Sequence, residues 1–324
     1  MSLCSAETQS EASAAPTRDR SLAEFRNAAV GPDYKSVCFT GTQSVHKDDE
    51  SMLSLCAVNR TMFALVMSII PDTRPLRDIS KADRLTLFLM KLKTGLTYGA
   101  LGALFGIHPT SVARCFICVL NLLFDKTRSW IEWKHSDDVR TKKPDYFKLH
   151  YPNCKILIDC TGARVAQPAP VEIQDFYTSS KGTYSAKFLF GVAPNGALTF
   201  VRSAEDKGGF LDEFTAVASS VNPGGVLIDK SSVASANSTQ ANEVRSNSPS
   251  LNREGANSDV CDAGHSMYSV RLHVDRMILK LKSFNILNLP LSSNLHDNID
   301  RIVHVICILA NLQGSVLKSS GPDV

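Results

Sequence analysis

Two short apolar runs of the chain end in an acid, ILID at Asp159 and VLID at Asp229, and a third acid, Asp275, lies in RLHVDRM. Carboxylates held together at the ends of apolar strands repel one another and raise each other's pKa unless a cation intervenes. A cluster of oxygen ligands without sulfur or imidazole suits magnesium or manganese. Two such ions about 4 Å apart hold the attacking and leaving oxygens of a phosphoryl transfer in line. The chemistry on offer is metal-dependent phosphodiester cleavage, with Asp159, Asp229 and Asp275 as ligands and activated water as nucleophile. Taken singly, each aspartate has a plainer reading as a turn former or helix cap. The signal lies in their order along the chain.

That order depends on the elements that carry the acids. Cys154–Asp159 has strand character, and Tyr184–Val192 and Ala197–Ser203 flank Ala193-Pro194-Asn195-Gly196. An Asn-Gly pair between strand-like runs predicts a hairpin. Phe210–Val221 reads as a helix and Gly225–Asp229 as a second buried strand. Tyr268–Phe284 and Asn298–Leu317 repeat apolar residues at helical spacing. Strand-Asp, hairpin, helix, strand-Asp, helix-Asp is the order of a ribonuclease-H-like nuclease core. Ser231–Met267 breaks the pattern. Its 37 residues hold nine serines, five asparagines and no aromatic, which predicts a disordered polar insert.

Ahead of this core, Met52–Ile70 predicts one helix stopped by Pro71. Asp83–Lys93, Tyr98–Phe105 and Pro109–Phe124 predict three more. The last two, joined by a turn through Gly106, fit a helix-turn-helix within residues 83–124. In that motif the start of the second helix enters the major groove. Thr110, Ser111 and Arg114 would then meet phosphates or base edges. The same pattern also suits a helix pair that only packs in a core. The reading is an α/β protein in three parts. A disordered leader spans 1–35, a helical region 36–150, and a mixed-sheet ribonuclease-H-like domain 151–318.

Composition narrows the alternatives. The 324 residues are 44 % hydrophobic and 21 % charged, as in ordinary globular proteins, and the net charge is +3. A phosphate-binding surface must therefore come from clustered cations rather than abundant ones. Nine cysteines are scattered, and Met1–Ala14 lacks the apolar core of a secretory signal. Reduced, packed thiols are expected. Cys115 and Cys118 form a CxxC inside an apolar run with no second ligand pair, which favours packing over zinc. No apolar stretch reaches the ~20 clean residues of a membrane span.

The stretch RLTLFLMKLKTGLTYGALGALFGIHPTSVARCF resembles the helix-turn-helix of Harbinger-type transposases. YPNCKILIDCTG, YTSSKGTYSAKFLFGVAPNGALTFVRS, GGVLIDK, RLHVDRMILKLKSFNIL and IDRIVHVICILANLQ resemble the nuclease core of that family. The resemblance covers about residues 39–317. It implies a ribonuclease-H-like fold and DNA strand cleavage and joining with Mg2+ or Mn2+, and with that chemistry a nuclear location, the cytoplasm being the alternative. Asp159, Asp229 and Asp275 fall on the family's acidic ligands. Ser179, Lys181 and Lys187 fall on a polar, basic stretch that can contact the DNA backbone. A separate Myb-like DNA-binding protein is the partner the resemblance implies. Three departures stand out. Asp275 replaces the usual glutamate, Gly162 replaces a glutamate three residues after the first acid, and the polar insert follows Asp229. They leave open a domesticated DNA-binding protein without catalysis. A protein-interaction scaffold is a third reading, should the Asn298–Leu317 helix prove exposed.

Overall fold

Capping residues set the helix boundaries of the N-terminal half in the computed structural model, which describes residues 39–71, 79–131, 143–166, 178–180, 183–203, 226–228 and 272–313. The expected leader, the Phe210–Val221 helix and the polar insert lie outside the described residues. After the short helix α1 (Thr42–Val45), Asp48 caps α2 (Asp49–Cys56) by accepting from the Ser51 amide at 2.6 Å. Asn59 caps α3 (Arg60–Ile69) through the Met62 amide at 2.8 Å. The single helix expected over Met52–Ile70 is thus two, bent by 58°. Ala57 takes a left-handed φ of 59° to end the first, and Asn59 opens the second. Each such cap satisfies an amide the helix leaves orphaned, for about 1 kcal/mol.

Ser80 caps α4 (Lys81–Thr94), Thr97 caps α5 (Tyr98–Phe105), and His108 with Pro109 opens α6 (Pro109–Thr127). α4 is the centre of this half. Leu85, Leu87, Phe88, Leu89 and Leu92 are fully buried. The Phe88 ring lies 5.1 Å from that of Phe116 on α6, and the Tyr98 ring of α5 lies 6.2 Å from the same Phe116. Three helices therefore share one aromatic knot. Lys93 at the end of α4 also donates to the Ser283 carbonyl at 3.0 Å.

After α7 (Asp145–His150), the chain builds a mixed sheet from β1 (Ile156–Val165), β2 (Thr178–Ser180), β3 (Thr183–Val192), β4 (Leu198–Ser203) and β5 (Val226–Ile228). The order is β2-β3-β1-β5, with β4 also on β3. The β3–β4 hairpin turns at Pro194-Asn195-Gly196 as the Asn-Gly pair predicts, Gly196 taking φ 85°. β1 does not stop at Asp159. It continues to Val165, paired antiparallel to β3 along that length. Thr161, half-buried, and Val165, buried, give the extension strand-compatible residues.

Helix α8 spans 272–282, and α9 (Ile299–Leu312) closes the described fold. α9 is buried on nearly every side, Ile302, Ile306 and Cys307 completely. The exposed face that a scaffold would need from this helix is core instead. Asn311 brackets β4, accepting from the Leu198 amide and donating to the Leu198 carbonyl, both at 2.9 Å. Arg301 donates to Asn121 of α6 at 2.6 Å, and His304 Nε2 lies 3.2 Å from the Thr127 carbonyl. The far half of α6 thus rests on the helix that rests on the sheet. Burial pushes the thiols of Cys56 and Cys154 up to about 12, which suits packing rather than reactivity. No single described helix is long and apolar enough to cross a membrane.

Candidate functional site

Successive side chains of a strand alternate between faces. Asp159 therefore shares a face with Leu157, Thr161, Ala163 and Val165 of β1. Pairing brings Phe190 opposite Asp159 and Phe188 opposite Thr161 on that face. Asp159 is only 6 % exposed. It neither ends a strand nor caps a helix, so the plainer reading of this acid lapses. A carboxylate sunk beside aromatic rings is costly unless charge or hydrogen bonds compensate it.

β5 supplies the second approach. Ile228, its last residue, pairs in parallel with Ile158. Each of these isoleucines immediately precedes one of the candidate acids. Asp229 itself lies outside the described residues.

Asp275 sits on α8. That helix buries His273, Val274, Met277 and Leu281, and presents Asp275, Arg276 and Leu279 to solvent. Its first turn is pinned to the sheet by His273, whose Nε2 lies 3.4 Å from the Ala193 carbonyl just past β3. The His273 ring also meets Phe147 of α7 edge-on at 5.5 Å. Burial holds the His273 pKa below its ordinary value, which keeps the ring neutral. Among the described residues, no three His, Cys, Asp or Glu side chains gather as a metal group.

The basic stretch is divided by the sheet. Ser179 of β2 pairs with Tyr184, and Lys181 lies outside the described residues. Lys187 pairs with Gly162, which puts it on the face opposite Asp159. Arg164 and Arg202 share the Lys187 face and are both exposed. Sequence reading passed over these two arginines. Their signal was available, since Arg164 stands an odd number of residues from Asp159 and Arg202 follows the strand alternation of β4.

The helix pair α5–α6 is bent by 101°, within the range of a helix-turn-helix. Two glycines make the turn possible. Gly106 closes α5 at φ 66°, where a side chain would be strained. A Cβ on Gly102 would stand 2.6 Å from the Ile107 carbonyl oxygen. Past the turn, Thr110 and Arg114 are exposed and Ser111 is half-buried, while Val112, Cys115 and Phe116 face the core. His108 Nδ1 accepts from the Thr110 amide at 3.3 Å and lies 2.9 Å from the Thr110 hydroxyl. The start of α6 therefore offers oriented amides, a hydroxyl and a guanidinium on one open surface, a combination suited to phosphate.

Comparison with known families agrees with both halves. Residues 158–311 match the family model "DDE superfamily endonuclease", a span from the residue before Asp159 to the last turn of α9. Residues 77–129 match "Helix-turn-helix of DDE superfamily endonuclease", a span that contains α4, α5 and α6. No curated protein and no solved structure matches the chain. The chain carries a DDE superfamily endonuclease domain, preceded by the helix-turn-helix of that superfamily.

Proposed function

We propose that this protein is a transposase-derived endonuclease of the Harbinger type, cutting DNA in the nucleus with Mg2+ or Mn2+ held by Asp159, Asp229 and Asp275 in a ribonuclease-H-like core. The observation that carries this reading is the parallel pairing of Ile158 with Ile228. Carried one residue further, that register would set Asp229 abreast of Asp159. Neighbouring strands lie about 4.8 Å apart, a spacing compatible with two carboxylates on one cation. The all-oxygen donor set suits a hard divalent ion. Bound there, the cation would lower the pKa of a water and neutralise charge on the scissile phosphate. Asp159 contributes a carboxylate whose packing fixes its position, and Asp275 one on the open side of α8 where substrate can approach. Thr110, Ser111 and Arg114 of α6 hold the duplex, with Ser179, Lys181 and Lys187 as backbone contacts. A separate Myb-like protein would supply further DNA recognition.

A second reading, a DNA-binding descendant without catalysis, is favoured by one feature. Asp275 points away from the buried face of α8 and is shorter by one methylene than glutamate. Incubating supercoiled plasmid with the protein separates the two. Nicking with Mg2+ or Mn2+, and none with EDTA, is expected of the nuclease. Tight duplex binding with no nicking in either metal would establish the silent descendant.

A further inference from the structure

Relative motion is the ordinary expectation for two parts of a chain joined by a linker. Here the helix-turn-helix unit is tied to the nuclease half through both α4 and α6. α4 ends at Gly95, whose φ of 74° lets its amide reach the Lys91 carbonyl at 3.0 Å. A Cβ at Gly95 would collide with the Leu289 side chain and stand 3.6 Å from the Asn285 carbonyl. Two residues earlier, Lys93 donates to the Ser283 carbonyl. α6 rests on α9 through Asn121 with Arg301 and the Thr127 carbonyl with His304. Gln313, just past α9, donates to the Ala57 carbonyl between α2 and α3 at 2.7 Å. One tie leaves a swivel; ties at α4 and α6 together remove it.

The segment that receives α4, residues 283–291, leads to the elements that carry the acids. It continues α8, the Asp275 helix, with the Ser283 and Phe284 amides donating to the Leu279 and Leu281 carbonyls at 2.9 and 3.1 Å. Phe284, Ile286 and Leu287 are buried, so the segment is packed along its length. At its far end Leu291 pairs in parallel with Val165. The Leu291 amide donates to the Arg164 carbonyl at 3.1 Å, and its carbonyl accepts from the Ala166 amide at 2.8 Å. Val165 is the last residue of β1, and Asp159 lies about 20 Å back along the same strand. We propose that residues 283–291 are a positioning strap, seated on Gly95, which holds the DNA-reading unit at one setting relative to Asp159 and Asp275. A duplex gripped by α6 then meets the acids at one fixed offset from the bound sequence. Lys93, Gly95 and Leu289 are positioning residues, which act by fixing α4, against which α6 packs through Phe88 and Phe116. The proposal rests on the reading of the chain as a DNA-binding nuclease and adds what determines where it cuts.

The test does not depend on catalysis. Asp275 is exposed on α8, so Asp275→p-benzoyl-phenylalanine places a photocrosslinker there in the full chain. The probe is a duplex that the chain selects from a random-sequence pool, with the α6 contact located as the footprint that Arg114→Ala weakens. Packed side chains hold a setting to within a few ångströms, about one base step of ~3.4 Å. Crosslinks should therefore fall within about two nucleotides, at one offset from the footprint. Lys93→Met and Leu289→Ala, at half-buried and exposed positions, should keep affinity and footprint and spread the crosslinks over about five nucleotides or more. Gly95→Val should spread them furthest; should it fail to fold, the other two variants decide. A merely structural role would lower the melting temperature of these variants and leave the offset sharp. Sharp crosslinks at the unaltered offset in the variants would overturn the strap. Scattered crosslinks, or none, from the otherwise unaltered chain on a footprinted duplex would overturn it too, with the DNA reading left standing. Failure to select any duplex would overturn both.

Discussion

The helix-turn-helix and the nuclease sheet are built by opposite strategies. α4, α5 and α6 come from one unbroken stretch of chain, and their caps, glycines and aromatic knot are all close in sequence. The proposed acid site would draw on β1, β5 and α8, elements far apart in the sequence, of which β1 and β5 are joined by register. The difference has a consequence for damage. A lesion in the helical unit acts through local packing and costs stability and grip together. On the proposed function, a lesion at an acid of the sheet would remove chemistry while leaving the fold's apolar frame in place.

The largest expected effect falls on the sheet side. Asp159→Asn should reduce DNA cleavage by about 10²–10³-fold, the scale on which loss of a charge-stabilising group acts, with duplex binding retained. Steady-state nicking rates set against anisotropy would check it, and cleavage surviving within tenfold would remove Asp159 from the chemistry. The helical side is sharpened by Phe116→Ala. Phe116 is fully buried against Phe88 and Tyr98, and its removal should cost about 3–5 kcal/mol. Chemical denaturation measures this, and a loss below ~1 kcal/mol would mean the knot is not the core of that unit.

Gly102→Ala tests the turn. Its methyl group would meet the Ile107 carbonyl oxygen, so a loss of about 1–3 kcal/mol is expected from overpacking. A neutral result would show that the turn is looser than its geometry. Arg114→Ala should weaken duplex binding by about 1–3 kcal/mol if the contact is to a base, with little change in melting temperature. Equal affinity for the two proteins would retire α6 as the recognition helix.

The smallest effect is a pH dependence at the seam between the halves. His304 lies against Phe124 at 5.0 Å and near the Thr127 carbonyl, and burial first, then Arg202 and Arg128, hold its pKa below 6.5. The native state thus resists a proton that the unfolded chain accepts. Stability from this group is intact above pH 6.5 and is lost as pH falls below 6.5 toward the lowered native value. His273 behaves in the same direction. Melting temperature should therefore drop between pH 7 and pH 5, and His304→Gln should flatten part of the drop. An identical profile in the variant would exclude His304 as a contributor.

What the sequence made legible follows the same division. The Tyr98–Phe105 helix, its stop at Gly106 and the Pro109 start were readable because cap, glycine and proline are local signals. The hairpin at Asn195-Gly196 was readable for the same reason. The break after Cys56 was missed, because apolar spacing runs on through Ala57 and only Asn59 marks the new start. The extension of β1 past Asp159 was also missed. CTGARV has little strand character alone and is held by its partner β3. The two-sided sheet required register, which no local pattern contains. The three acids were visible as a motif, but the proposed approach of Asp159 and Asp229 rests on a long-range pairing of which the sequence showed only the two apolar runs.

The central claim is that the β1–β5 register brings Asp159 and Asp229 onto one divalent cation. Titrating Mn2+ into the protein, into Asp159→Asn and into Asp229→Asn, with binding followed by calorimetry, tests it directly. The account predicts saturable binding by the unaltered protein and loss of that same site in each single variant, since neither carboxylate holds the ion alone. Both variants binding Mn2+ as the unaltered protein does would contradict it.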